Sequence, residues 1–188
     1  MSRVIDRGAI VAGWVGVGMA VVVAVSFLLV IPIEPVFWLM TAPAGLLIGY
    51  YANQRSERQS GPWGRILANG VYAGAVTALT FVLLLLAVKA LFFAADGGYR
   101  DPGQGGAIAC ATGADCVYQR YVQSPQGADL ARAGVTDVAS FTSFYWGQQL
   151  GVAGLVLVLC LGGGIAGALA FGASRPRGAP RVPDPATR

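Results

Sequence analysis

The stretch ILANGVYAGAVTALTFVLLLLAVKALFF, residues Ile66–Phe93, decides how this chain folds. It is apolar along nearly its whole length, and Lys89 is its only formal charge. A bilayer core is about 30 Å thick, so about 20 apolar residues of helix cross it. Because no water reaches backbone amides there, a crossing segment must be a helix or part of a closed barrel. The length and composition of this stretch predict a transmembrane helix.

Three further stretches, at residues 8–31, 36–52 and 144–171, are also predominantly apolar and carry no formal charge. Over the whole 188-residue chain, 55% of residues are hydrophobic and 12% are charged, whereas a soluble domain is about 25% charged. We therefore predict an all-α integral membrane protein. Its fold is a four-transmembrane-helix bundle that forms a single domain over residues 1–173.

The arginines are sorted between the two sides of the predicted membrane. Those on one side are Arg3, Arg7, Arg55, Arg58, Arg65, Arg175, Arg177, Arg181 and Arg188. The other side holds only three, all within the long loop of residues 94–143. Because an excess of Lys and Arg marks the cytoplasmic side, we predict that both termini are cytoplasmic. The loop 94–143 is then exterior, on the non-cytoplasmic side of a plasma membrane, and residues 174–188 form a disordered Arg/Pro-rich cytoplasmic tail.

The second stretch is the least regular of the four. It contains Pro43 close to Gly45 near its middle. Proline removes a backbone donor and crowds the preceding turn, so we predict either a kink or a re-entrant distortion at this point.

Glycines recur at four-residue spacing inside the predicted helices. The pairs are Gly45 and Gly49, Gly70 and Gly74, Gly147 and Gly151, and Gly163 and Gly167. Lipid provides no hydrophobic drive for helix association, so close van der Waals contact through small residues takes its place. We predict that these glycines pack the helices together. Alternatively, a glycine-rich face contacts another membrane subunit or a second copy of the chain.

The exterior loop carries two of the three cysteines, Cys110 and Cys116. Thiols on the non-cytoplasmic side meet an oxidising compartment, which predicts a disulfide between them. A redox-active pair is the alternative, but the chain has no Cys-x-x-Cys motif, and Cys160 lies inside an apolar stretch, where a thiol is usually an inert hydrophobe. Thiol-redox activity therefore ranks third among the functions considered.

Lys89 is the only charge inside a predicted span, and Glu34 lies in the short loop between the first two spans. Both positions fall near the same membrane surface. A lysine there extends its ammonium group towards the interface, so we predict an interfacial ion pair between these two residues.

The sequence lacks the residue types that catalysis, metal binding and ion-coupled transport ordinarily use. The chain has no histidine, and no Asp or Glu lies inside the four stretches. This removes imidazole ligands and the commonest general base, as well as the usual intramembrane carboxylate of ion-coupled transport. The basic residues form no aromatic-interleaved patch of the kind that binds nucleic acid. We predict no catalytic residue, no metal site and no cofactor.

The predicted function is therefore non-enzymatic. We expect a structural or accessory multi-pass membrane protein that acts through helix packing and its disulfide-closed exterior loop. Its partners would be the lipid bilayer and other membrane subunits or a second copy. The alternative is an oligomeric channel or small transporter, with a lining of Asn69, Thr77, Thr80 and Gln148 or Gln149.

Overall fold

The computed structural model of the chain describes residues 5–30, 34–56, 61–95 and 110–174. Within those ranges every regular element is helical. The four long helices are α1 (Arg7–Ala24), α2 (Glu34–Gln54), α3 (Trp63–Ala95) and α6 (Val138–Ser174). Two short helices, α4 (Ala114–Gln123) and α5 (Gly127–Arg132), lie between α3 and α6. The predicted tail beyond Ser174 lies outside the described residues.

Four helical segments are long and apolar enough to cross a membrane, as the sequence predicts. The first consists of α1 and a π-helical continuation, Val25–Val30. The other three are α2, α3 and α6. Within the described residues, the prediction of an all-helical fold with four helices long and apolar enough to cross a membrane is confirmed.

The last long helix begins at Val138, six residues before the predicted span at 144–171. Asp137 caps the N-terminus of this helix, because its Oδ1 accepts a hydrogen bond of 2.7 Å from the backbone N–H of Ser140. An acidic side chain in this position satisfies one of the donors that a helix N-terminus leaves free. The segment 94–143 is therefore more than a connection, because it contains α4, α5 and the first turns of α6.

The second long helix runs without interruption through Pro43. The proline is exposed, so its ring points away from the other helices. Two residues later, Gly45 packs directly on α6. Neighbouring helices allow proline within a transmembrane helix. The re-entrant alternative is therefore wrong for α2.

The direction of each helix follows from its contacts. Gly8 of α1 lies against the backbone of Arg55, just beyond the end of α2, so α1 and α2 are antiparallel. Gly45 and Gly49 of α2 lie against Cys160 and Gly164, so α2 and α6 are parallel. Since α2 and α3 contact each other and both remaining helices, α1 and α6 lie on opposite sides of the α2–α3 pair.

Most of the glycines predicted to pack helices lie where two backbones meet. A Cβ atom on Gly45 or Gly49 would lie 2.1 Å from a carbonyl oxygen of α6, and one on Gly167 would lie 2.1 Å from a carbonyl oxygen of α2. Gly70, Gly74 and Gly163 also meet atoms of a neighbouring helix. The shared surface of α2, α3 and α6 therefore consists of backbone against backbone.

Gly147 and Gly151 do not follow this pattern within the chain. Both are exposed, and a Cβ atom at either position would meet nothing within 4 Å. The helical repeat of 3.6 residues places them on the side of α6 opposite Gly163 and Gly167. For this pair, the prediction of packing against another helix of the same chain is wrong.

Candidate functional site

Residues 110–137 form a helical cap over one end of the bundle, and this end is called the cap end. A disulfide joins Cys110 to Cys116 in the first turn of α4. The side chains of Cys116 and Leu130 are almost completely buried, at 1% and 2% exposure. The cap is therefore attached to the bundle from both of its short helices.

A cluster of aromatic rings joins the cap to the bundle. The rings are Phe93 of α3, Tyr118 and Tyr121 of α4, and Phe141, Tyr145 and Trp146 of α6. Phe141 is fully buried, and its ring centroid lies 5.1 Å from that of Tyr121 and 5.3 Å from that of Tyr118. Such pairs contribute about 0.5–1.5 kcal/mol each beyond the area they bury. This cluster fixes the position of α4 on the ends of α3 and α6.

The sequence does contain a signal for this cluster. Tyr118 and Tyr121 are three residues apart, so both project from the same face of α4. Sequence reasoning treated the segment containing Cys116 only as a disulfide loop and missed this apolar face.

The ion pair expected from the sequence lies beneath the cap. Lys89 Nζ donates a hydrogen bond to Glu34 Oε2, and the two side chains are 21% and 32% exposed. The pair links the start of α2 to the last turns of α3. Tyr121 of the cap lies close to this pair. Its burial, together with the nearby negative charge of Glu34, raises the pKa of Tyr121 above its ordinary value of 10.0. The phenol is therefore neutral and retains its proton at physiological pH.

Two further polar atoms are buried at the cap end. Trp38 Nε1 and Gln149 Oε1 have no hydrogen-bond partner within the described residues. The register that pairs Gly45 with Cys160 brings Glu34 level with Gln149 on the adjacent helix. Buried polar atoms left without partners are uncommon in proteins and need an explanation. They single out the cap end of the bundle as the end with unused hydrogen-bonding capacity.

The opposite end of the bundle holds a polar network that sequence reasoning missed. Asn69 Oδ1 accepts a hydrogen bond of 3.1 Å from the backbone N–H of Asp6, and Asn69 Nδ2 donates to the Asp6 carboxylate at 3.2 Å. Ser56 Oγ donates to the same carboxylate. Asn53 Nδ2 donates to the carbonyl of Ile66 at 3.0 Å. The network joins α1, α2 and α3, and its bonds all lie between parts of the chain, which indicates a structural role.

The hydroxyl groups considered as a channel lining are also engaged. Thr77 and Thr80 each donate to a backbone carbonyl of α3 at 2.8 Å. Asn69 belongs to the network at the opposite end. Within the described residues, these side chains therefore form hydrogen bonds inside the protein.

The remaining cysteine is fully buried in α6. Cys160 Sγ lies 3.9 Å from the carbonyl oxygen of Gly74 on α3. Its surroundings are the glycine contacts between helices, so the thiol fills space in the core. Among the described residues, no three His, Cys, Asp or Glu side chains lie close enough together to hold a metal ion.

The helical cap and the ion pair beneath it therefore form the candidate functional site, because they combine a fixed surface with charged and hydrogen-bonding groups. Comparison of the chain with protein-family models, with curated proteins and with solved structures finds no match.

Proposed function

We propose that this protein is a non-enzymatic accessory membrane protein that holds its helical cap as a rigid docking platform for another membrane component. The single observation that carries the proposal is the aromatic cluster around Phe141, which fixes α4 on α3 and α6. A surface that is held rigid binds a partner at a lower entropic cost than a mobile loop does.

The exposed face of the platform supports this role. Val122 of α4 is 51% exposed, although it lies only one residue after the anchoring ring of Tyr121. An apolar side chain held on a rigid solvent-facing helix is available for contact with a partner protein. The exposed ion pair between Asp129 and Arg132 adds polar groups on α5.

We further propose that both termini are cytoplasmic and that the cap lies on the non-cytoplasmic side of a plasma membrane. The arginine bias supports this orientation, since Arg7, Arg55 and Arg65 all belong to the end of the bundle opposite the cap. The disulfide in the cap fits an oxidising compartment. A reporter enzyme that is active only outside the cytoplasm should be active when inserted between residues 96 and 109 and inactive when fused after Arg188. The reverse pattern would contradict the orientation.

Co-purification tests the docking role. The full chain is extracted in nanodiscs from its native membrane, and the complexes are weighed by native mass spectrometry. We expect a stoichiometric partner that Val122→Asp removes and that Gln123→Asp retains, since both variants add the same charge to the exposed surface of α4.

An oligomeric channel or small transporter remains the competing function. A homo-oligomer without other chains, together with ion or solute flux in reconstituted vesicles, would replace the accessory role with transport. Equal partner loss from both variants would also count against docking at Val122.

A further inference from the structure

A small pocket lies in the seam between the helical cap and α6. It is lined by Tyr121, Gln126, Asp129, Leu130, Phe144 and Gln148. Its volume is about 110 Å³, which is room for a small polar group. Two amides and a carboxylate face this space together with two aromatic rings, so the seam offers hydrogen-bond donors, acceptors and apolar faces at one place.

The helix register places the pocket near the level of the Lys89–Glu34 ion pair. Gln148 belongs to the exposed side of α6 and directly precedes Gln149, which is level with the Lys89–Glu34 ion pair. Charged pairs of this kind lie at the interface rather than in the hydrocarbon core. A molecule in the pocket would therefore have its polar part at headgroup depth.

The exposed side of α6 carries a strip without side chains, called the glycine groove. Gly147, Gly151 and Gly154 are exposed, and a Cβ atom at each position would meet nothing within 4 Å. Leu150 and Leu155, which are 61% and 40% exposed, project on either side of this strip. The three glycines extend along about 10 Å of the helix. The groove thus begins beneath the pocket and follows the direction of a lipid chain.

We propose that this seam binds one lipid of the cap-side leaflet, with a hydroxyl-bearing headgroup, of glycerol or sugar, in the pocket and an acyl chain along the glycine groove. This inference goes beyond the docking role, because it assigns a lipid ligand to the seam between the cap and α6.

The chemistry of the pocket favours hydroxyls. Amide side chains both donate and accept hydrogen bonds, and a carboxylate accepts them, which matches a group with several O–H bonds. The Asp129 carboxylate already receives a hydrogen bond from Arg132, so the pair has no net charge to attract a cationic headgroup. The rings of Tyr121 and Phe144 offer apolar faces to the carbon side of a polyol.

Lipid retention tests the proposal. The full chain is placed in phosphatidylcholine nanodiscs that also contain a minor amount of one test lipid, and the bound lipids are counted by native mass spectrometry. The test lipids are phosphatidylglycerol, a glucosyl diacylglycerol, phosphatidylethanolamine and phosphatidic acid. We expect retention of the first two above the phosphatidylcholine background, because they share hydroxyls and differ in charge. If phosphatidylglycerol and phosphatidic acid were retained equally and the glucosyl diacylglycerol were not, the binding would be due to phosphate charge. That result would overturn the proposal. Equal retention of phosphatidylethanolamine would also overturn it.

Matched variants locate the site. Gly151→Leu fills the groove, whereas Gly162→Leu adds the same side chain to an equally open, exposed glycine farther from the pocket. Gln148→Leu removes a pocket amide, and Gln123→Leu removes an exposed amide of α4 that is not among the pocket residues. We expect about a fivefold loss of retention for Gly151→Leu and Gln148→Leu, the effect of one hydrogen bond or a comparable contact, and no loss for the two controls. Equal losses in the controls would overturn the site, as would a dimer that Gly151→Leu abolishes, because a second copy would then cover the groove.

Discussion

At the scale of single residues, the absence of a side chain determines how closely the helices approach. Gly49 lies where a Cβ atom would be 2.1 Å from the carbonyl oxygen of Gly164, and backbone cannot move aside as a flexible side chain can. Adding atoms to a packed interface typically costs about 1–3 kcal/mol.

We therefore expect Gly49→Ala to destabilise the bundle by about 2 kcal/mol, measured as unfolding in mixed detergent micelles. Gly162→Ala is the control, because a Cβ atom there meets open space. If the two variants unfolded at the same detergent composition, close contact between α2 and α6 would not be the source of stability.

The ion pair between Lys89 and Glu34 makes a second prediction at this scale. Both side chains are less than one-third exposed, so solvent screens their attraction only in part. We expect Lys89→Ala and Glu34→Ala to be non-additive in the free energy of unfolding, with a coupling of about 1 kcal/mol. A coupling that stays near zero at low salt would indicate that the pair does not link α2 to α3 energetically.

At the scale of elements, we expect the disulfide to stabilise the helical cap more than the bundle. Cys110 and Cys116 are separated by 6 residues, and closing so short a loop contributes about 2 kcal/mol in the chain-entropy model. We expect the Cys110→Ser, Cys116→Ser double variant to lose hydrogen-exchange protection in α4, while α2 remains as protected as in the native chain. Unchanged protection in α4 would show that the aromatic cluster is sufficient to hold the cap.

The first turn of α6 makes a prediction about pH. Hydrogen bonds from the backbone and side chain of Ser140 lower the pKa of Asp137 below its ordinary value of 3.8. Because the folded state favours the ionised carboxylate, its contribution is present above pH 3.8 and is lost as the pH falls through the lowered pKa.

We therefore expect the amide of Ser140 to lose protection against hydrogen exchange, after correction for the intrinsic rate, only below about pH 3.8. Asp137→Asn is the matched control, since asparagine also closes a helix N-terminus but does not titrate in this range. A loss of protection at the same pH in the asparagine variant would assign the effect to another group.

At the scale of the whole molecule, the four long helices could be predicted because a membrane leaves few choices. A stretch such as Ile66–Phe93 has no stable alternative to a helix in lipid, so composition alone identifies it. The side on which each helix packs could not be predicted in this way. Gly147 and Gly163 lie in the same apolar helix with the same local pattern, and an element that is apolar all round gives no indication of which face meets its neighbours.

The candidate site could be predicted only in part. The two disulfide partners and the Lys89–Glu34 pair could be predicted, because cysteines and charged residues are rare in those parts of the sequence. The platform itself depends on Tyr118 and Phe141 meeting from distant parts of the chain. The network around Asp6 has the same character, since polar residues beside a predicted helix end are ordinarily read as solvated.

The parallel contact between α2 and α6 has a consequence for the synthesis of the protein. Gly45 and Gly49 meet partners at Cys160 and Gly164, which the ribosome adds more than a hundred residues later. Because translation adds about 5–20 residues per second, the glycine face of α2 is exposed for roughly ten seconds before α6 is synthesised. Chains truncated before Val138 should therefore be degraded faster than complete chains in a pulse-chase experiment. In the truncated chains the glycine face of α2 stays exposed to quality-control proteases. We therefore expect the synthesis of α6 to be the step that protects the new chain from proteolysis.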